Sequence, residues 1–137
     1  MVTSIKLSTY GLLIRDQKLL ISSEVYQGNH LVKFPGGSVE YGEGLRDALI
    51  REWYEELQVQ IEVGSLIYLT EDFVQSAFTK GRQIVSFYYQ VKTDAPAIGR
   101  ATEHEVHWLP LDLPADETGL TFPLDRKVFG ILQEKFL

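Results

Sequence analysis

The chain has 137 residues, of which 45% are hydrophobic, and this size and composition predict one globular domain, residues 1–137, with its own core. Its formal net charge of −6 at pH 7 argues against a surface that binds nucleic-acid polymers or anionic membranes. The absence of cysteine excludes disulfides and thiol chemistry, and no apolar run reaches the ~20 residues of a membrane span.

The first third of the chain predicts strands joined by polar turns. The predicted strands are residues 5–14, 19–23 and 31–34. The first two are expected to form a hairpin across the polar turn at 15–18. Gly11, inside the first strand, indicates either a close backbone approach or a bulge. Residues 24–30 are polar and predict a loop, which either borders a site or merely connects two strands.

The central stretch combines a glycine-rich turn with an acidic helix. Gly36-Gly37 predicts a turn, and residues 45–59 predict a helix because no Pro or Gly interrupts them. At ~100° per residue, Glu52, Glu55 and Glu56 fall within an arc of roughly 100°. Another side is apolar and consists of Leu49, Ile50, Trp53, Tyr54 and Leu57.

Three carboxylates on one helical arc have two interpretations. An acidic run is usually a solvated surface, because like charges at this spacing repel one another in the absence of a counter-ion. A cluster of hard oxygen ligands is also what Mg²⁺ or Mn²⁺ selects. The neighbouring features of the same segment, a double glycine, Glu43 and Arg51, favour the metal site.

The second half of the chain predicts three more strands and a second helix. The predicted strands are residues 59–68, which 70–73 extends, 82–92 and 103–109. Residues 75–81 predict a turn, and residues 93–101, with Pro96 and Gly99, predict a loop. After an irregular connector at 111–122, a helix from Pro123 to Phe136 is predicted by its first residue and by its helical apolar spacing. The residues at this spacing are Val128, Ile131, Leu132 and Phe136.

The segment from Gly37 to Val59 resembles the Nudix box, the signature of the Nudix (MutT-like) hydrolases. That signature is Gly, five residues, Glu, seven residues, then Arg-Glu-apolar-any-Glu-Glu-any-Gly-apolar. The matching residues are Gly37, Glu43, Arg51, Glu52, Trp53, Glu55, Glu56 and Val59. Gln58 stands where the family has Gly, so either the helix ends differently or Gln58 is left-handed at a cost of about 1 kcal/mol. The Glu105-Val106-x-Trp108 pattern resembles a strand that follows the box in many Nudix proteins.

The resemblance implies a fold and an activity. The fold is an α/β/α sandwich, in which a mixed sheet is flanked by the Nudix-box helix and the C-terminal helix. The activity is Mg²⁺- or Mn²⁺-dependent cleavage of a phosphoanhydride bond in a nucleoside diphosphate linked to another moiety, such as a nucleoside triphosphate or ADP-ribose. The alternative is a Nudix-fold sensor that binds a nucleotide without hydrolysing it. Either is expected in the cytoplasm, with a small nucleotide as partner and with a homodimer possible.

The resemblance also implies roles for individual residues. Glu52 and Glu56 correspond to the core metal ligands, with Glu55 as a further ligand and the Gly36 carbonyl as a backbone ligand. Glu43 is expected beside Arg51, which in the family holds the catalytic carboxylates in place. The general base is either Glu52 or a later glutamate. The candidates for that later glutamate, in order of preference, are Glu103, Glu105 and Glu71.

Substrate-binding residues are not assigned by the sequence. The aromatic residues either stack on a nucleobase or belong to the core, and adjacent ones in a strand point to opposite faces. These are Tyr10, Tyr26, Phe73, Phe78, Phe87, Tyr88 and Tyr89. Lys80 and Arg82 are interpreted as solvated turn residues rather than as contacts to a terminal phosphate. Glu40 either reaches a metal or faces solvent, and the three histidines lack the spacing of metal ligands.

Overall fold

The computed structural model describes residues 1–96, 98 and 105–137. Of the residues that the sequence analysis names, Gly99, Glu103 and His104 lie outside this part of the chain. The strands are β1 Ser4–Leu12, β2 Ile14–Arg15, β3 Lys18–Tyr26, β4 Asn29–Lys33, β5 Gly36–Ser38, β6 Glu62–Leu69, β7 Arg82–Lys92 and β8 Glu105–Pro110. The helices are α1 Leu45–Leu57 and α2 Pro123–Phe136, with a short 3-10 helix at Ala115–Glu117. In the described residues no helix has the length and apolar character to cross a membrane.

The strands form two sheets, one mixed and one antiparallel. In the mixed sheet the order is β5-β1-β7-β6, where β1 and β7 run parallel and the other neighbours run antiparallel. In the second sheet β3 pairs antiparallel with β2, β4 and β8. Leu13, between β1 and β2, is the point at which the chain passes from one sheet to the other.

The predicted hairpin between residues 5–14 and 19–23 is largely wrong. Only Ile14 and Arg15 pair with β3, whereas β1 pairs with β5 and β7. Leu13 lies outside both strands, and its carbonyl accepts a hydrogen bond from the Leu20 amide at 3.0 Å. The break at Leu13 therefore sends two halves of one apolar run into different sheets.

The helices cover opposite faces of the sheets. The core on the α2 side includes Leu12, Leu19, Ile21 and Tyr88 from the strands and Val128, Phe129 and Leu132 from the helix. The core on the α1 side includes Leu13, Leu20 and Tyr89 from the strands and Leu49, Trp53 and Leu57 from the helix. Because adjacent strand residues point to opposite faces, neighbours such as Tyr88 and Tyr89 enter different cores. The predicted α/β/α arrangement with a mixed sheet is thereby confirmed.

Two local predictions near the glycines differ from the structure. The predicted loop at 24–30 is a tight hairpin, in which only Gln27 and Gly28 separate β3 from β4, with φ angles of 49° and 78°. The predicted turn at Gly36-Gly37 is strand β5, which pairs with β1. A Cβ atom on Gly36 would lie 2.1 Å from the Thr9 carbonyl oxygen. The glycine pair therefore permits close strand approach rather than a reversal of the chain.

The remaining boundaries shift by a few residues. β6 starts at Glu62 rather than at Val59, and residues 70–73 do not extend it. Within the turn at 75–81, Gln75 forms an isolated bridge to Gln83. Helix α2 begins at Pro123 as predicted.

Helix α1 ends two residues earlier than predicted, and Gln58 caps it in the left-handed conformation. The φ and ψ angles of Gln58 are 58° and 35°, and its amide donates to the Tyr54 carbonyl at 3.0 Å. A side chain is disfavoured in this conformation, whereas glycine adopts it freely. The departure from the box therefore strains the cap and leaves the helix in place.

We expect Gln58→Gly to raise the free energy of unfolding by about 0.5–1 kcal/mol, because it removes that strain at the cap. The measurement is urea-induced unfolding followed by circular dichroism. Gln60→Gly is the matched control, since Gln60 is also exposed but does not have a positive φ angle. The control should lose stability; a loss in both variants would contradict the cap argument.

Candidate functional site

Arg51 joins helix α1 to the segment that precedes it. Its Nε and Nη2 atoms donate to the two oxygens of Glu43 at 2.7 and 2.9 Å, and Nη2 also donates to the Ser38 carbonyl at 3.0 Å. Its Nη1 atom donates to Glu52 at 3.0 Å and to the Glu55 carboxylate at 3.2 and 3.3 Å. The two hydrogen bonds between Arg51 and Glu43 fix the side chains of these two residues in one geometry. Arg51 therefore contacts three of the predicted acidic site residues directly.

The Arg51–Glu43 contact also sets the charge of both groups. The hydrogen bonds from Arg51, with a further one from the Glu40 amide, lower the pKa of Glu43 to about 2. The same bond to Glu43, aided by Glu52 and Glu55, raises the pKa of Arg51. Both groups therefore stay charged at neutral pH.

The Glu52 carboxylate lies against β5, which we call the glycine strand because it contains Gly36 and Gly37. A Cβ atom on Gly37 would be 2.6 Å from Glu52 Cδ, so a side chain at that position would displace the carboxylate. Gly36, Gly37, Glu52 and Glu56 line a single cleft of about 340 Å³, which we call the carboxylate cleft. The structure thus brings together two of the three predicted acidic ligands and the glycine that was predicted to offer its carbonyl.

Glu56 lies partly buried beside Glu52. Burial, which Lys33 opposes and the neighbouring Glu52 carboxylate reinforces, raises the pKa of Glu56 to about 8. In the absence of a cation Glu56 is therefore largely protonated at neutral pH. A divalent cation can replace such a proton, because two adjacent hard oxygen donors match the ligands that Mg²⁺ and Mn²⁺ prefer. The donor set of Glu52 and Glu56 fits a cation on this ground.

Glu55 lies apart from this pair. Its side chain is 57% exposed, is bound to Arg51, and does not line the carboxylate cleft. In the described part of the chain, no three His, Cys, Asp or Glu side chains form a preassembled metal site. A role for Glu55 as a ligand requires its side chain to leave Arg51.

The other candidate acids lie away from the cleft or outside the described residues. Glu103, the preferred outlying base, belongs to the residues that the structure does not describe. Glu105 in β8 and Glu71 before β7 are exposed, and neither lines the carboxylate cleft. Glu40 is 4.0 Å from Arg51 Nη2 with its side chain 68% exposed. Among the described acids, Glu52 remains the predicted base that faces the cleft.

Sequence reasoning missed the basic side of the cleft. Lys33 is buried at the end of β4 and forms an ion pair with Glu24 at 3.4 Å. Burial acts to lower the pKa of Lys33, but Glu56, Tyr10 and Glu24 outweigh it, so the pKa lies above its ordinary value. Lys33 is therefore a cation held at the carboxylate pair. No local motif marks this lysine, because tertiary packing alone brings it to Glu56.

A second depression of about 340 Å³ continues from the cleft, and we call it the inner pocket. The two share six lining residues: Lys6, Tyr10, Lys33, Ser76, Phe78 and Phe122. Its floor comes from alternate residues of the parallel pair β1 and β7, in register Lys6↔Ile84, Ser8↔Ser86 and Tyr10↔Tyr88. Ser8 and Ser86 form the middle pair of this floor. Because their side chains are small, the pocket is deeper at its centre. The cleft and the inner pocket form one continuous depression.

The far end of the inner pocket is polar and buried. Asp125 in α2 accepts a hydrogen bond from the Tyr88 hydroxyl at 2.8 Å. Burial raises the pKa of Asp125 to about 6, although this hydrogen bond acts in the opposite direction. Burial also raises the pKa of the Tyr88 hydroxyl. The inner pocket thus contains a buried carboxyl group, that of Asp125, with which a ligand could form a hydrogen bond.

The aromatic residues divide between pocket and core as strand alternation predicts. Tyr10 and Tyr88 stack with a centroid distance of 5.3 Å and line the inner pocket. Phe87 and Tyr89 belong to the core on the α1 side. Phe73 is 60% exposed and lines neither depression. Of the three adjacent aromatics in β7, only Tyr88 therefore faces the site.

The comparisons with known proteins agree with this geometry. The model of the NUDIX domain family matches residues 6–128. The solution structure of the E. coli ORF135 protein is similar, with 25% identity and a TM-score of 0.76 over 96% of this chain and 91% of that one. The MutT protein from Methanosarcina mazei Go1 has a TM-score of 0.81 and 17% identity, over 100% and 99% of the two chains.

A MutT NUDIX hydrolase from Burkholderia pseudomallei has a TM-score of 0.75 and 21% identity, over 93% of this chain and 98% of that one. No curated protein sequence matches significantly. The family match covers nearly the whole chain and includes the glycine strand, Arg51 and the carboxylate pair. The chain therefore belongs to the Nudix hydrolase family.

Proposed function

We propose that this protein is a Mg²⁺- or Mn²⁺-dependent hydrolase that cleaves a phosphoanhydride bond in a nucleoside diphosphate linked to another group. Nudix hydrolases are generally pyrophosphohydrolases and generally use divalent metals. The observation that carries the proposal is the adjacent pair Glu52 and Glu56 in a cleft that also contains Lys33. Such a cleft can hold a cation on one side and a phosphate chain on the other.

In this proposal Glu52 and Glu56 hold the cation, with the Gly36 carbonyl as a backbone ligand. Glu55 becomes a further ligand if its side chain leaves Arg51. When bound, the cation would neutralise phosphate charge and lower the pKa of a coordinated water. The raised pKa of Glu56 supports this assignment, because burial beside Glu52 disfavours the negative charge of Glu56 unless a cation lies next to the pair.

Arg51 and Glu43 act as positioning residues. Arg51 binds Glu52, and Glu43 keeps Arg51 in place through two hydrogen bonds. Water attacks phosphorus, the phosphoanhydride bond breaks, and a glutamate accepts the proton from the water. Glu52 is the candidate base within the described residues, and Glu103 is the candidate outside them.

The inner pocket is proposed to receive the nucleobase. Tyr10 offers aromatic surface and is backed by buried Tyr88, and Asp125 offers a hydrogen-bonding carboxylate. Nucleobases combine a flat face with polar edges, which suits such walls. A small nucleotide is thus the proposed partner, while the cytoplasmic location and the homodimer stay predictions from the sequence.

Nucleotide binding without hydrolysis is the second candidate. Its support is the pairing of Arg51 with Glu52 and Glu55, which leaves the described acids without a preassembled three-ligand metal site. A sensor would need the pocket and the cations but no reactive metal centre. The two candidates differ in turnover and share the binding step.

A substrate panel tests the proposal. The purified protein should release phosphate or pyrophosphate from at least one nucleoside triphosphate or nucleotide sugar with Mg²⁺ or Mn²⁺, and EDTA should abolish the release. Calorimetry with the same compounds measures binding separately. Tight binding without turnover under either metal would replace the hydrolase by the sensor, and neither binding nor turnover would reject both.

A further inference from the structure

Two cations, Lys6 and Arg82, line the carboxylate cleft. Lys6 lies in β1 and Arg82 opens β7, two parallel neighbours in which Ser4 is paired with Arg82. The Arg82 Nε atom is 3.4 Å from the Ser4 hydroxyl. Within residues 1–96, 98 and 105–137, neither cation forms a salt bridge to a carboxylate. In a chain of net charge −6, two unpaired cations at one place suggest a binding site for an anion.

Both cations line the site. Lys6 and Arg82 are partly buried and line the carboxylate cleft together with Glu52 and Glu56. Both also line an open groove of about 850 Å³, which begins there and runs to Glu40 and which we call the outer groove. Arg82 is the first residue of β7 rather than a turn residue as predicted, and it is partly buried. Lys80, named with it, is exposed and lines neither the cleft nor the outer groove.

The electrostatics of Lys6 point in the same direction. Burial, followed by the charges of Arg82 and Lys33, lowers the pKa of Lys6 from its ordinary value. Three cations that repel one another across a partly desolvated cleft are stabilised when an anion lies between them. Glu52 lies near enough to attract Lys6, but it belongs to the carboxylate pair and forms an ion pair with Arg51.

The lining of the depression suggests the direction in which a nucleotide lies. Buried Asp125 lines the inner pocket but not the carboxylate cleft, and the proposed function places the base in the inner pocket. The carboxylate pair lies in the adjoining cleft, where the diphosphate belongs under the proposed function. Arg82 lines the cleft and the outer groove but not the inner pocket, and Lys6 lies where all three meet. The part of the substrate beyond the diphosphate therefore meets these two cations.

We propose that Lys6 and Arg82 bind the terminal phosphate of a nucleoside triphosphate and so make this enzyme prefer triphosphates to nucleotide sugars. The inference rests on the proposed function and names its substrate class. A terminal phosphate carries up to two negative charges and three acceptor oxygens, which suit an ammonium and a guanidinium. The hexose of a nucleotide sugar is neutral and leaves both cations unpaired.

The test compares one base in two substrates, a nucleoside triphosphate and the corresponding nucleoside diphosphate hexose. Lys6→Met and Arg82→Gln should each lower kcat/KM for the triphosphate by about 10- to 100-fold, mainly through KM, because each removes a charged hydrogen bond to the phosphate. The value for the nucleotide sugar should fall by a clearly smaller factor, because its hexose does not pair with the two cations. Lys6→Arg should restore most of the loss, since it returns the charge.

Lys80→Met is the matched control, because it removes one positive charge two residues from Arg82 without touching the cleft. It should change neither substrate by more than about twofold. Equal losses on both substrates in the Lys6 and Arg82 variants would overturn the inference, since the residues would then serve the diphosphate or the fold. Unchanged kinetics would also overturn it.

Binding separates this inference from the proposed function. Calorimetry with inorganic tripolyphosphate and inorganic pyrophosphate requires no turnover. The wild type should bind tripolyphosphate more tightly, and Lys6→Met should remove that preference. If the wild type hydrolyses no nucleotide yet shows this preference, the proposed hydrolase activity is rejected and the proposed anion site is supported. If the wild type hydrolyses nucleotides but the Lys6→Met variant still prefers tripolyphosphate, only the proposed anion site is rejected.

Discussion

Glu52→Gln is expected to lower kcat by about 10³-fold on the best substrate while the protein remains folded. The substitution removes one negative charge from the carboxylate pair and with it one donor to the cation and the candidate base. Loss of a general base alone costs typically ~10²–10⁴-fold. Loss of a charged ligand adds to this, because a neutral amide holds Mg²⁺ less firmly.

The fold should tolerate this change because glutamine keeps the shape of glutamate. Arg51 Nη1, which donates to Glu52 at 3.0 Å, would still find the amide oxygen, and its bonds to Glu43 remain. The pKa of Glu56, which lies at about 8, should fall once the neighbouring charge is gone. Thermal unfolding near that of the wild type would show that lost activity reflects lost chemistry.

Two further variants show which of the three acidic side chains on helix α1 the activity depends on. Glu56→Gln should reduce activity to a similar degree, because Glu56 lines the same cleft. Glu55→Gln should cost less than either, since Glu55 is exposed and reaches a cation only after leaving Arg51. Steady-state kinetics with saturating Mg²⁺ measures all three. Full activity in both Glu52→Gln and Glu56→Gln would reject the assignment of the site.

The acidic wall of the site was predictable because it is local in sequence. Helical spacing alone places Glu52 and Glu56 one turn apart, and the contact between Arg51 and Glu43 crosses only eight residues. What spacing does not determine is the rotamer of each acid. Glu55 was grouped with Glu52 and Glu56 on the helical arc, yet in the structure Arg51 holds it on the outer side.

The inner pocket was not predictable in the same way. Alternation within β1 puts Lys6, Ser8 and Tyr10 on one face, and the same period runs through Ser86 and Tyr88 in β7. These are readable patterns, but the floor exists only because the two strands pair in parallel across about 78 residues of sequence. Nothing local specifies that partner. The expected hairpin failed for the same reason, since β1 pairs with distant β7 rather than with β3.

Trp53 holds helix α1 in register with the glycine strand. We therefore expect Trp53→Ala to lower the free energy of unfolding more than any other substitution proposed above. Trp53 is fully buried, and its Nε1 atom donates to the Pro35 carbonyl at 3.1 Å, one residue before Gly36. Gly11 lies directly beneath the indole, because a Cβ there would be 2.5 Å from Nε1. The glycine in β1 thus marks a close approach, not a bulge.

Trp53→Ala should lower the free energy of unfolding by about 3–5 kcal/mol, since it removes a large buried side chain and leaves a cavity. Trp53→Phe should cost less, because most of the ring remains and the Pro35 carbonyl keeps its bond from the Gly11 amide at 2.9 Å. Trp108→Ala is the matched control, as Trp108 is only partly buried. Urea unfolding followed by circular dichroism measures each change. A smaller loss for Trp53→Ala than for Trp108→Ala would mean that the helix is anchored elsewhere, and Glu52 would then owe its position to Arg51 alone.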